Sequence, residues 1–82
     1  MRVTVRLFAR LREIAGTGEL ERDIEDGSTA RAVWAGLTTD FPALGDYTAV
    51  ISCAVNEEYA RFEQPVENGD EIAFLPPVSG GA

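Results

Sequence analysis

The stretch "STARAVWAGLTTDF", from Ser28 to Phe41, decides the fold because it predicts one long amphipathic helix. Its apolar residues recur at helical spacing, which places them along one stripe of the helix surface. These residues are Ala30, Val33, Trp34, Leu37 and Phe41. Ser28 is a residue type that caps helix N-termini, and Pro42 limits the helix at its other end. Such a helix must bury its stripe against an apolar surface formed by the rest of the chain.

The segments on both sides of this helix alternate polar and apolar residues, which is typical of half-buried β-strands. The predicted strands are "RVTVRLF" (Arg2–Phe8), "ELERDIE" (Glu19–Glu25), "ISCAVN" (Ile51–Asn56), "YARF" (Tyr59–Phe62) and "EIAFL" (Glu71–Leu75). The second of them is rich in charge, as edge strands often are. "ARLREIAG" predicts a short helix that stops at Gly16, "PALGDYTAV" predicts an irregular linker, and Asn68 and Gly69 predict a turn.

This order of elements favours a small mixed sheet packed on one main helix. We therefore expect an α+β fold of the ubiquitin-like β-grasp type over residues 1–75, followed by a flexible Gly-Gly tail over residues 76–82. A ferredoxin-like split βαβ fold is the alternative, but the first helix is short for a full crossover connection.

Composition excludes several classes of function. The chain has 82 residues, no histidine and a single cysteine, Cys53, so it lacks the commonest general base and any intramolecular disulfide or thiolate metal cluster. We expect Cys53 to be a small core residue and expect no metal site.

The net charge of −7 disfavours nucleic acid and favours protein partners with basic surfaces. No apolar run is long enough to span a membrane, and the N-terminus does not read as a signal peptide, so a cytoplasmic protein is expected.

Three apolar residues fall where strand alternation predicts exposure to solvent: Phe8, Tyr59 and Leu75. If the first and last strands are neighbours, Phe8 and Leu75 meet on the outer face of the sheet. A clustered apolar patch marks a protein interface, and Arg12, one helical turn after Phe8, is placed to bind a partner carboxylate at its rim. The alternative is that each residue lies at a strand end and is covered by a loop.

The chain ends in "LPPVSGGA". Pro76 and Pro77 favour an extended backbone that leaves the domain, and Gly80 and Gly81 can pass through a channel too narrow for side chains. These residues predict a terminus that is delivered into the active site of another protein.

The motifs "VRLFARLREIAG", "AVNEEYARF" and "NGDEIAFLPPVSGG" resemble the MoaD family of ubiquitin-like sulfur carriers, the small subunits of molybdopterin synthase. The double proline before the tail favours this branch over the thiamine-pathway carriers. The resemblance implies that a ubiquitin-activating-like adenylyltransferase uses ATP to adenylate the terminal glycine, which then becomes a thiocarboxylate. The tail then donates sulfur to cyclic pyranopterin monophosphate in a pocket of the large subunit.

Transferred by position, the resemblance implies that Gly81 is the residue that is adenylated and thiolated, and that Gly80 passes with it into the partner's channel. It also implies a set of partner-binding residues, which are Phe8, Arg12, Tyr59, Leu75, Pro76 and Pro77. It implies that the chain binds no cofactor and acts as the sulfur-donor subunit of a heteromeric sulfurtransferase, without catalysis of its own. A ubiquitin-like protein modifier, or a sulfur carrier for thiamine, cysteine or transfer-RNA thiolation, remains an alternative.

Ala82 departs from the family pattern, in which glycine is the last residue. While the bond between Gly81 and Ala82 is intact, Gly81 has no free carboxylate. We expect the form that is competent for activation to end at Gly81.

Overall fold

The structure, a computed structural model, describes residues 1–77 and contains a five-stranded sheet and two α-helices. In chain order the elements are β1 (Arg2–Leu7), α1 (Ala9–Ala15), β2 (Glu19–Asp23), α2 (Ala30–Asp40), a 3-10 helix (Pro42–Tyr47), β3 (Ser52–Val55), β4 (Glu58–Ala60) and β5 (Glu71–Leu75). The strand order across the sheet is β2-β1-β5-β3-β4. The sheet is mixed, as predicted, because β1 pairs in parallel with β5 while the other three pairings are antiparallel.

The parallel pair at the centre of the sheet forms one wall of the core. Val5 lies opposite Ile72 and Leu7 lies opposite Phe74 in the register, and all four side chains are at most 1% exposed. Because side chains alternate between the two faces of a strand, this register also fixes which residues point outward.

Helix α2 packs four of the five predicted stripe residues on this wall, while the fifth, Phe41, is the C-cap of the helix and is half-buried. Ala30, Val33, Trp34 and Leu37 are buried, and the Trp34 ring lies 5.0 Å from the Phe74 ring between centroids. The indole Nε1 of Trp34 donates to Thr48 Oγ1 at 2.9 Å, so its polar atom is paired where the ring is buried. The predicted packing of one main helix on a mixed sheet is confirmed.

The N-cap of α2 is Thr29, and the prediction of Ser28 was wrong by one residue. Thr29 has the extended backbone of an N-cap (φ −105°, ψ 169°), and its Oγ1 accepts from the amide of Ala32 at 3.3 Å. The Ser28 hydroxyl donates instead to the carbonyl of Glu25 at 2.7 Å, which tightens the preceding turn. The two hydroxyl residues are adjacent, so composition alone does not separate them.

The segment after α2 also differs from expectation. Residues 42–47, predicted as irregular linker, form the 3-10 helix, with Pro42 at its start and Leu44 fully buried. A single buried leucine gives no periodic signal, although it fixes this segment on the core. Strand β4 is likewise shorter than predicted, because it ends at Ala60 and Phe62 lies beyond it, packed on the core from the side.

Two turns position the outer face of the sheet. Gly69 has φ 88°, which confirms the predicted turn before β5. Asn56 and Glu57, between β3 and β4, have φ 51° and 72°, so both central residues of this hairpin turn are left-handed. The type I′ turn of a two-residue hairpin requires this geometry and prefers Asn followed by Gly, so a glutamate at the second position is unusual.

Replacement of Thr29 with Ala is expected to lower the free energy of unfolding by about 1 kcal/mol, because the amide of Ala32 loses its acceptor. Ser28→Ala is the matched control and is expected to have the smaller effect, since its hydroxyl bonds only within an exposed turn. Urea unfolding of the two variants measures both values. A larger loss for Ser28→Ala would contradict the assignment of the cap.

Candidate protein-docking face

The sheet face that points away from α2 has a charged half over β2 and β1. Arg2 bridges to Glu21 and Asp23 on the neighbouring strand, with Arg2 Nε 3.0 Å from Asp23 Oδ1. The hydrogen bond from Arg2, reinforced by its charge, lowers the pKa of the Asp23 carboxyl below its usual value. Charges on this half therefore have partners within the chain.

The other half of the outer face, over β5, β3 and β4, is apolar. We call it the apolar patch, and its residues are Phe8, Ala54, Tyr59, Ala73 and Leu75. Ala54 lies opposite both Ala73 on β5 and Tyr59 on β4, so three strands meet at this point. The patch forms the floor and walls of a shallow concavity of about 330 Å³, whose remaining lining residues are Arg6, Glu57 and Glu71.

Phe8 joins the apolar patch because it continues the alternation of β1 by one residue. Its backbone is extended (φ −126°, ψ 156°), which keeps its side chain on the face of Arg6, and Ala9 then turns the chain with φ 51°. The Arg6 guanidinium lies 5.6 Å from the centroid of the Phe8 ring, within cation–π range. Phe8 is 38% exposed, as its parity predicts, while its role in binding stays a prediction.

Tyr59 and Leu75 form the other walls of the concavity. Tyr59 is 80% exposed, although it carries a large aromatic ring, and Leu75 is half-buried beside Ser52 of β3. Covering these two side chains removes apolar area from water without any change in the core, and this removal favours protein docking. The structure thus brings three of the predicted partner-binding residues to one surface.

Arg12 lies on the far side of Phe8, outside this concavity. Its side chain packs over Gly18, where a Cβ would come within 3.2 Å of Arg12 Cδ and Nε. It lines a separate hollow that also includes Arg6 and Phe8, and no described residue forms an ion pair with it. Arg12 therefore flanks the apolar patch through Phe8, and its guanidinium remains available to a carboxylate.

Pro76 and Pro77 follow β5 directly, without regular secondary structure; Pro76 is half-buried and Pro77 is exposed. The chain leaves the sheet next to Leu75, at the edge of the apolar patch. Gly80, Gly81 and Ala82 lie outside the described residues.

Sequence reasoning missed the polar rim of the concavity. Arg6 Nη1 lies 3.4 Å from Glu71 Oε2, while its Nε lies 3.6 Å from Glu19 Oε1, too far for a hydrogen bond and without another partner among the described residues. The alternation of side chains along β1 and β5 places Arg6 and Glu71 on this face, so the sequence pattern was sufficient to predict them. The segment "NEE" (residues 56–58) does predict a turn here, but the position of Glu57 at the concavity depends on the left-handed backbone of that turn, which the sequence did not signal.

The described residues offer no second candidate for a functional site, either as a reactive side chain or as a set of metal ligands. Burial raises the pKa of the Cys53 thiol, whose Sγ lies 3.2 Å from the carbonyl oxygen of Ala60, so it is an unreactive core residue as predicted. Residues 1–77 hold no cluster of three or more potential metal ligands. A larger hollow of about 670 Å³ borders β4, but polar and charged residues such as Arg61, Gln64 and Glu67 line much of it.

No helix in the described part of the chain is long and apolar enough to cross a membrane.

The fold and the apolar patch define the class: the chain is a ubiquitin-like β-grasp protein with an exposed apolar patch beside its last strand. It belongs to the ThiS family, whose match extends over residues 5–81. This match confirms the resemblance to ubiquitin-like sulfur carriers.

Individual relatives agree with this assignment. The molybdopterin synthase sulfur carrier subunit of Arabidopsis thaliana is 38% identical over 79 residues, which cover 96% of this chain and 82% of that protein. The small archaeal modifier protein 1 (SAMP1) of Methanosarcina acetivorans has a solution structure that superimposes with a TM-score of 0.80 at 37% identity, over 98% of this chain and 96% of that one.

A third similar structure is the complex of subunits 1 and 2 of the molybdopterin-converting factor from Helicobacter pylori 26695. It has a TM-score of 0.69 over 99% of this chain and 100% of the matched chain, and its 24% identity shows a shared fold.

Proposed function

We propose that this chain is the sulfur carrier and small subunit of a molybdopterin synthase. The observation that carries the proposal is the apolar patch at the end of β5, from which the chain continues directly into Pro76 and Pro77. Membership of the ThiS family and the similarity to a named sulfur carrier subunit support it. In this proposal the patch docks on the large subunit, and the tail reaches that subunit's active site.

The length and composition of the tail suit this arrangement, in which the domain docks and the tail enters the active site. From Leu75 to Gly81 an extended chain spans at most roughly 20 Å, enough to enter a neighbouring active site while the domain stays docked. Proline favours the extended backbone near the domain, and Gly80 and Gly81 offer no side chain that could block a narrow channel.

The chemistry takes place at the carboxyl group of Gly81. A carboxylate oxygen attacks the α-phosphorus of ATP on the activating adenylyltransferase, and pyrophosphate leaves. Sulfide-level sulfur from a donor then attacks the acyl carbon and displaces AMP, which leaves a thiocarboxylate. Transfer of this sulfur to cyclic pyranopterin monophosphate on the large subunit regenerates the Gly81 carboxylate. The dithiolene product needs two sulfur atoms, so charged and spent carriers must exchange on the large subunit.

The chain itself is proposed to be non-catalytic and to hold no cofactor, with ATP bound by the activating enzyme. The absence of histidine from the sequence and the buried, high-pKa thiol of Cys53 support this division of roles. We propose that the reaction takes place in the cytoplasm, where ATP is available to the activating enzyme.

Replacement of Phe8 or Leu75 with Glu is expected to weaken binding to the large subunit about 30-fold or more, since each change puts a charge into an apolar contact. Binding is measured by isothermal titration calorimetry with the purified subunits, and circular dichroism checks that the variants are folded. The matched control is Ala32→Glu, which adds the same charge to the exposed surface of α2. Equal affinity of the wild type and both patch variants would contradict docking through the patch.

The chain that ends at Gly81 is expected to gain a thiocarboxylate when it is incubated with the activating enzyme, ATP and a sulfur source. The chain that retains Ala82 is expected to stay unmodified, because its Gly81 carbonyl is part of a peptide bond. Intact-protein mass spectrometry reports the exchange of one oxygen for one sulfur. Equal conversion of the two chains would overturn the assignment of Gly81.

A ubiquitin-like protein modifier is the second candidate, and the similarity to SAMP1 favours it. A modifier would leave Gly-Gly remnants on lysines of other proteins, detectable by peptide mass spectrometry, whereas a dedicated carrier would leave none. Delivery of sulfur to another pathway would be indicated if the thiocarboxylate formed but the large subunit did not bind.

A further inference from the structure

Glu57 occupies an unfavourable backbone conformation at the lip of the concavity. It is the second central residue of the β3–β4 turn and has φ 72°, in the left-handed region that glycine and asparagine prefer. Non-glycine residues in such a conformation are uncommon, and they cluster at active sites, ligand contacts and switch regions. Glycine would serve the turn better, so the turn alone does not account for a glutamate.

The preceding residue fixes where Glu57 lies. The Asn56 amide donates to the Glu71 carbonyl at 2.8 Å, and Asn56 Oδ1 accepts from the Glu71 amide at 3.0 Å. Asn56 Nδ2 also donates to Asp70 Oδ1 at 2.9 Å. Because three hydrogen bonds tie Asn56 to the start of β5, the turn holds Glu57 at a defined place beside the apolar patch.

The charge of Glu57 is not balanced within the described chain. Of the two carboxylates at the concavity, that of Glu71 is paired with Arg6 at 3.4 Å, whereas the Glu57 carboxylate forms no ion pair or hydrogen bond with a described residue. A partner that covers Tyr59 and Leu75 comes close to this carboxylate and reduces its contact with water. An unpaired charge at the edge of an apolar contact disfavours association unless the partner supplies an opposite charge.

We propose that Glu57 selects the docking partner by pairing with a lysine or arginine of the large subunit, placed next to the apolar group that fills the concavity. This inference rests on the proposed function and adds to it the chemistry of the complementary surface. The apolar patch gives affinity, while Glu57 excludes partners that present an apolar or acidic residue at this edge.

Affinity for the large subunit, measured at two ionic strengths, tests this role. Glu57→Gln keeps the size of the side chain and is expected to bind roughly fivefold more weakly than the wild type at ~50 mM salt, and less than twofold more weakly at ~500 mM. Glu57→Lys is expected to lose more affinity than Glu57→Gln at low salt.

Glu57→Gly is expected to raise Tm by about 4 °C, because it relieves the turn, and still to weaken binding.

The control is Glu25→Gln, which removes the same charge from an exposed position after β2, at the opposite edge of the sheet. It is expected to bind within about twofold of the wild type at low salt, since it lies outside the contact. If Glu57→Gln is indistinguishable from Glu25→Gln at both ionic strengths, the role of Glu57 is refuted while the proposed function stands. If the wild type itself fails to bind the large subunit, the proposed function fails and this inference falls with it.

Discussion

The parallel pairing of β1 with β5 is the constraint on which the rest of the structure depends. One register places Val5, Leu7, Ile72 and Phe74 together under α2. The alternation of the strands then leaves Leu75 on the opposite face, where the extended backbone of Phe8 adds its ring. A slip of one residue would exchange the two faces, so the core and the apolar patch have a common origin.

The helical and strand periodicities of the sequence were sufficient to predict much of this arrangement. The stripe of α2, the inner faces of β1 and β5, and the outward position of Phe8, Tyr59 and Leu75 all follow from periodicity in the sequence. The features that were missed depend on single residues and on three-dimensional neighbours. Leu44 fixes the 3-10 helix without any periodic signal, and the choice of Thr29 over Ser28 as cap depends on the local backbone. The position of Arg12, over Gly18 and away from the concavity, also required the fold.

The charged residues on the outer face fall into two groups, those that pair within the chain and those that remain free to contact a partner. Arg2 and Arg6 pair with carboxylates on neighbouring strands, so several of the acidic residues behind the net charge of −7 are neutralised locally. Exposed pairs of this kind contribute little stability each, but they leave fewer free charges near the patch. Glu57 differs because it is strained and has no described partner, which are properties expected of a residue retained for binding. The acidic surface as a whole can steer a basic partner, while the apolar patch holds it.

The central claim is that the apolar patch is the surface covered by the large synthase subunit. Hydroxyl-radical footprinting of the intact chain, alone and mixed with that subunit, measures the exposure of each aromatic side chain by mass spectrometry. The account predicts that oxidation of Phe8 and Tyr59 falls strongly in the complex, while Phe41 and Tyr47, which pack on the opposite side beside the core, keep their free-state rates. Protection of Phe41 and Tyr47, with Phe8 and Tyr59 still oxidised as in the free chain, would contradict it.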